Sequence, residues 1–88
     1  MQTYTIVQTS SLFNMETRIN GQLSMTLHFT NLAGATQAYE RASLMDLICA
    51  LPSRPTNADG VALGHIIRER FPNQLDWAVE VCKVMHPE

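Results

Sequence analysis

Three histidines and two cysteines are the side chains of this 88-residue chain best suited to metal or nucleophilic chemistry. Cys82 and His86 stand at i, i+4, which on a helix puts both on one face as half of a metal site. Structural zinc takes four ligands, commonly as two closely spaced pairs, and no second pair occurs. The expectation is a core thiol beside a terminal imidazole. His65 and Glu69 repeat the i, i+4 spacing, but acid–base catalysis also needs a nucleophile, a cleft and groups that shift a pKa. The sequence locates none of these, and a surface helix pair is expected instead. Cys49 lies among Ile48, Ala50 and Leu51, an apolar setting that predicts a buried, reduced thiol rather than a nucleophile. Asp59-Gly60 ahead of a helix has the form of an anion site on free N–H groups, although Asp59 itself is suited to cap them. The four glycines read as turn or cap positions, outside any phosphate-binding loop. No catalytic residue, metal or cofactor is therefore expected, and the chain is read as not an enzyme.

Composition narrows the partner classes. The chain carries 6 Lys plus Arg and 8 Asp plus Glu, for a net charge of −2. Nucleic-acid binders draw most of their affinity from a basic stripe that neutralises phosphates, so direct nucleic-acid binding is not expected. The acids are too few and too dispersed for a DNA mimic. At 45% hydrophobic residues the chain can build a core, though a thin one at this length. No apolar run is long enough for a membrane span, and Met1–Ser11 has no signal-peptide pattern. Two cysteines do not make a disulfide framework. These features predict a cytoplasmic protein with one domain over 1–88.

The elements that would position any surface change character midway. Tyr4–Thr9 is β-branched and aromatic, as a first strand requires. Phe13, Met15, Thr17 and Ile19 alternate with Asn14, Glu16 and Arg18, and Leu23, Met25, Leu27 and Phe29 alternate with Ser24, Thr26 and His28. Asn20-Gly21 between these runs is a hairpin signal. A two-residue turn would pair Arg18 with Leu23 and Glu16 with Met25, setting charge beside the apolar stripe. A three-residue loop, Ile19-Asn20-Gly21 with a glycine bulge, pairs Thr17 with Leu23, Met15 with Met25 and Phe13 with Leu27, and is the expected form. After a turn at Asn31–Gly34, an edge strand is expected near Ala35–Arg41.

Ser43-Leu44-Met45-Asp46 has the form of a helix start, with Leu44, Leu47, Ile48 and Leu51 as its apolar stripe up to Pro52. A second helix is expected over about Val61–Phe71. Asn73 is placed to cap a third over Gln74–Met85, whose main stripe is Leu75, Ala78, Val79, Cys82 and Met85. Trp77, Val81 and Val84 fall off that stripe, so this helix is either sandwiched in the fold or open to a partner. The predicted class is α+β: an antiparallel β-meander of three to four strands, about 3–41, followed by two to three helices, about 44–86, packed on one face.

What remains for function is surface. The alternation puts Asn14, Glu16, Arg18, Ser24, Thr26 and His28 on one polar sheet face, which any sheet covered on one side must show. Tyr4 and Tyr39, both expected on strands, would add to that surface if they point outward. The candidate partner-binding residues are thus Tyr4, Glu16, Arg18, His28 and Tyr39. Two stretches, Ile19-Asn20-Gly21 and Ser43-Leu44-Met45-Asp46-Leu47 through Leu51-Pro52, resemble small phage-encoded anti-CRISPR proteins that block type I interference complexes. That resemblance implies a stoichiometric inhibitor, acting in the host cytoplasm on a ribonucleoprotein effector without turnover. The expected function is a non-catalytic protein-binding module. The alternative is a self-associating regulator, such as an antitoxin or immunity protein, that forms a homodimer through its last helix.

Overall fold

In the computed structural model of the chain, residues 1–85 are described. They form strands β1 (Gln2–Gln8), β2 (Phe13–Ile19) and β3 (Gln22–Phe29), then helices α1 (Leu32–Cys49), α2 (Asn57–Arg70) and α3 (Leu75–Met85), with a 3-10 turn at Pro72–Gln74 before α3. This is the predicted α+β order, with an antiparallel sheet arranged β1-β2-β3. The chain divides into two compact units, Met1–Ala42 and Ser43–Glu88.

In the first unit the β2–β3 hairpin closes differently from the expected bulged loop. Ile19 pairs with Gln22, and both turn residues lie at positive φ, Asn20 at 52° and Gly21 at 84°. This is the primed two-residue turn whose twist matches that of the flanking strands. Arg18 then faces Leu23, but the register shifts between Thr17 and Arg18, so that Ser24 is passed over and Thr17 faces Met25. Beyond the bulge Met15 faces Leu27 and Phe13 faces Phe29. The bulge thus brings Met25, Leu27 and Phe29 onto the apolar face one step along β3, while Leu23 stays beside Arg18 on the other.

By this register Tyr4, Ile6, Met15, Thr17, Met25, Leu27 and Phe29 belong to one face. Met15 and Thr17, on the central strand, are buried there. The first turns of α1 lie over this face. The Tyr39 ring meets that of Tyr4 edge-on, centroids 6.4 Å apart, and a Cβ on Gly34 would come within 3.4 Å of the Phe29 ring.

The expected fourth strand near Ala35–Arg41 does not form, because those residues are inside α1. The Asn31 side chain accepts a hydrogen bond from the Gly34 N–H at 2.7 Å, which is an N-cap. Ala33, Ala35, Ala38 and Gln37 that follow are good helix formers and poor strand formers. The helix thus starts at Leu32, and Ser43, read as its cap, falls mid-helix.

The second unit is built around Leu44, Ile48, Leu63, Ile67, Phe71 and Ala78. Leu44 and Ile48 are fully buried, and Leu47 and Leu51 pack against the same cluster, as the expected stripe requires. Cys49 is exposed at the end of α1, not buried as expected, since it lies off that stripe. The second helix begins earlier than expected. Thr56 and Asp59 form a reciprocal capping box, with Asp59 N–H donating to Thr56 Oγ1 at 3.2 Å and Thr56 N–H to Asp59 Oδ2 at 2.8 Å. It ends at Arg70 because Phe71 precedes a proline and leaves the helical region. Asn73 belongs to the 3-10 turn and does not cap α3. Trp77 and Val81 pack against the core, whereas Val84 is 79% exposed.

Candidate functional site

The polar face of the first unit departs from the alternation at one place: the bulge passes over Ser24, and Leu23 stands opposite Arg18 instead. Asn14, Glu16, Arg18, Thr26 and His28 share it with Thr3, Thr5 and Val7 of β1. Its polar groups engage one another: Arg18 donates to Glu16 at 3.0 Å, and His28 Nδ1 donates to Asn14 Oδ1 at 2.7 Å across the β2–β3 pair. Glu16, Arg18 and His28 are therefore brought together, and Tyr4 and Tyr39 are not among them. Tyr4 stands on the opposite face and Tyr39 is on α1, where the two rings pack half-buried against each other.

The free edge of the sheet offers a different surface. β3 pairs only with β2, and its sequence, QLSMTLHF, contains no Lys, Arg, Asp, Glu or Pro. Natural edge strands are commonly blunted by such residues against pairing with another chain. Leu23, Met25 and Leu27 on this strand are 53%, 50% and 39% exposed. The bulge at Ser24 interrupts the edge only near the turn, leaving Met25–Phe29 regular. β1 is also uncharged; its Tyr4 and Ile6 are half-buried, and Val7 is 37% exposed.

The second unit contains an open groove of about 830 Å³ between α2, α3 and the segment after α1. Leu51, Leu63, Ile67, Leu75, Ala78 and Cys82 provide apolar lining. Gly60 and Gly64 of α2 also line it, as do the cationic side chains of Arg54, Arg68 and Lys83. No carboxylate lines the groove among the described residues. Lys83 also meets the exposed Glu80 at 3.4 Å. Burial pushes the Cys82 thiol up from its ordinary 9.0, which keeps it protonated and a weak nucleophile at neutral pH.

His65 and Glu69 are both exposed on α2, as a surface pair would be. The Cys82–His86 pair lies partly outside the described residues, since His86 is beyond them. Among the described residues no three His, Cys, Asp or Glu side chains gather to hold a metal ion. No described helix is long and apolar enough to cross a membrane.

Two features escaped the reading of the sequence. The alternation that marks Leu23, Met25 and Leu27 as apolar-face residues carries no signal that they stay uncovered. Arg54, Arg68 and Lys83 come from a loop and two helices, and only packing puts them around one groove. No protein-family model matches the chain, and neither curated proteins nor solved structures provide a match.

Proposed function

We propose that the chain is a non-catalytic module that binds another protein by accepting a strand along the β3 edge. The observation that carries this reading is an uncharged edge strand whose Leu23, Met25 and Leu27 remain exposed. Strand addition satisfies the edge N–H and C=O groups and gives the exposed apolar side chains neighbours to bury against. A partner strand would set alternate side chains beside Thr26 and His28 on the polar face and beside Met25 and Leu27 on the other.

A stoichiometric inhibitor of a type I CRISPR effector, acting in the host cytoplasm, is the specific form of this proposal. Its support is the resemblance noted above. Of the stretches that carry it, Asn20-Gly21 forms a two-residue turn in place of the bulged Ile19-Asn20-Gly21 loop, and Ser43 falls inside α1, which ends at Cys49 ahead of Leu51-Pro52. The test is capture of a purified type I effector by the tagged chain, compared with a Met25→Lys/Leu27→Lys variant. Saturable one-to-one capture that the variant loses by at least about tenfold supports the reading, since one buried charge opposed to an apolar partner suffices for that factor. Equal capture by both chains rejects the edge as the site.

A second reading has its own observation. Val79, Val84 and Met85 on α3 are 43%, 79% and 41% exposed, which suits self-association of an antitoxin-like or immunity-like regulator through the last helix. Light scattering separates the two. A mass near 9.9 kDa favours the inhibitor, and twice that mass, lost on Val84→Glu, favours the homodimer.

A further inference from the structure

α2 carries two glycines that nothing inside the chain calls for. Glycine is among the least favourable residues within a helix. It is ordinarily retained there for a positive φ or for close packing. Neither reason applies at Gly60, where the φ is ordinary for any residue and an added Cβ would meet nothing within 4 Å. At Gly64 an added Cβ would meet only the Arg68 guanidinium, at 3.6 Å, an ordinary contact with the end of a flexible side chain. Both glycines open on the groove of the second unit. They stand at i, i+4, so one face of α2 has bare backbone over more than a turn. Small residues at this spacing let the backbone of a second helix approach closely.

The charges around the groove define the complement. Arg54, Arg68 and Lys83 line it, and no carboxylate does among the described residues, the Glu80 that meets Lys83 at 3.4 Å lying outside the lining. An anion held beside an apolar floor and a bare helix face matches an amphipathic helix with apolar residues inward and Asp or Glu along its flanks. An extended strand would leave its backbone groups unpaired against α2, whereas a helix brings its own hydrogen bonds. We infer that this groove receives an acidic amphipathic helix from a partner protein, laid across Gly60 and Gly64 with its carboxylates toward Arg54, Arg68 and Lys83. This second site is independent of the β3 edge.

Selection from displayed helices tests it with the full chain. Two libraries of helices matching the 14 residues of α2 share a randomised apolar face and differ only in flanks of Glu or Lys. Glu-flanked clones should be enriched, and their affinity should fall with added salt, as exposed charge pairs do. Gly60→Leu has open space to enter and should fold, yet weaken the enriched helices by about tenfold or more. Arg54→Glu/Arg68→Glu should do the same, and Met25→Lys/Leu27→Lys should change nothing. The inference is overturned by equal enrichment of Lys-flanked clones, by no enrichment, or by full binding to the folded Gly60→Leu chain. Laurate bound more tightly than any Glu-flanked helix would assign the groove to an anionic lipid and equally overturn it.

Discussion

Thr17 keeps its hydroxyl among apolar neighbours on the inner sheet face, flanked by Tyr4 and Met25, and the oxygen has no hydrogen-bond partner. A buried hydroxyl left unpaired costs about 1–3 kcal/mol of desolvation. Valine has the same shape without that cost. Thr17→Val is therefore expected to stabilise the chain by about 1 kcal/mol, a rise of about 4–8 °C in Tm for a domain of this size. Calorimetry would show it, and a fall in Tm would mean that the hydroxyl has a partner after all. Thr56 is the opposite case, because its hydroxyl is fully used. Losing a capping side chain typically costs about 1 kcal/mol, and here it also leaves Asp59 without its reciprocal partner. Thr56→Ala should lower stability by about 1–2 kcal/mol, whereas Thr56→Ser should keep nearly all of it. Denaturant titration of the two variants side by side measures the difference.

At the scale of elements, the hairpin and α1 show how local signals compete. Asn-Gly was legible as a turn, and Asn20 and Gly21 do take the two positive φ values. What was not legible is where the extra residue would sit. Several arrangements keep the apolar residues on one face, and the twist of a primed turn favours the one with the bulge displaced to Ser24. In α1, Asn31 has the sequence signature of a turn residue and acts as an N-cap, because asparagine serves both roles through the same side-chain hydrogen bond. The alanines after it decide in favour of helix. Tyr39 moved with that change, from a strand to a helix face against Tyr4. The free β3 edge is likewise a property of an element: its backbone groups are left open by the sheet ending there, which no residue of β3 announces.

For the whole molecule, burial is unequal. The second unit gathers most of the fully buried apolar side chains, and Leu44 and Ile48 are its largest completely enclosed ones. Removing buried methylenes costs transfer energy plus a cavity, about 2–5 kcal/mol for Ile→Ala. That is a large part of the stability a chain of this size possesses. Ile48→Ala should lower the urea midpoint by an amount worth about 3 kcal/mol, while Val84→Ala at its exposed position should stay within about 0.5 kcal/mol. Equal effects from the two would mean that Val84 is covered in solution, as the homodimer requires.

From the sequence alone came the α+β order, the three strands, the Leu44–Ile48 stripe, the polar face of Glu16, Arg18 and His28, and the helix stop at Pro52. Each of these depends on periodicity or on one residue's backbone preference, and both act over a few neighbours. The tertiary structure decided the rest: that Tyr4 and Tyr39 face each other, that Met25 and Leu27 stay uncovered, and that three cations from separate elements line one groove. Such facts depend on which surfaces find partners in three dimensions. An apolar residue obeys the same spacing whether its face is covered by the chain or left for another molecule.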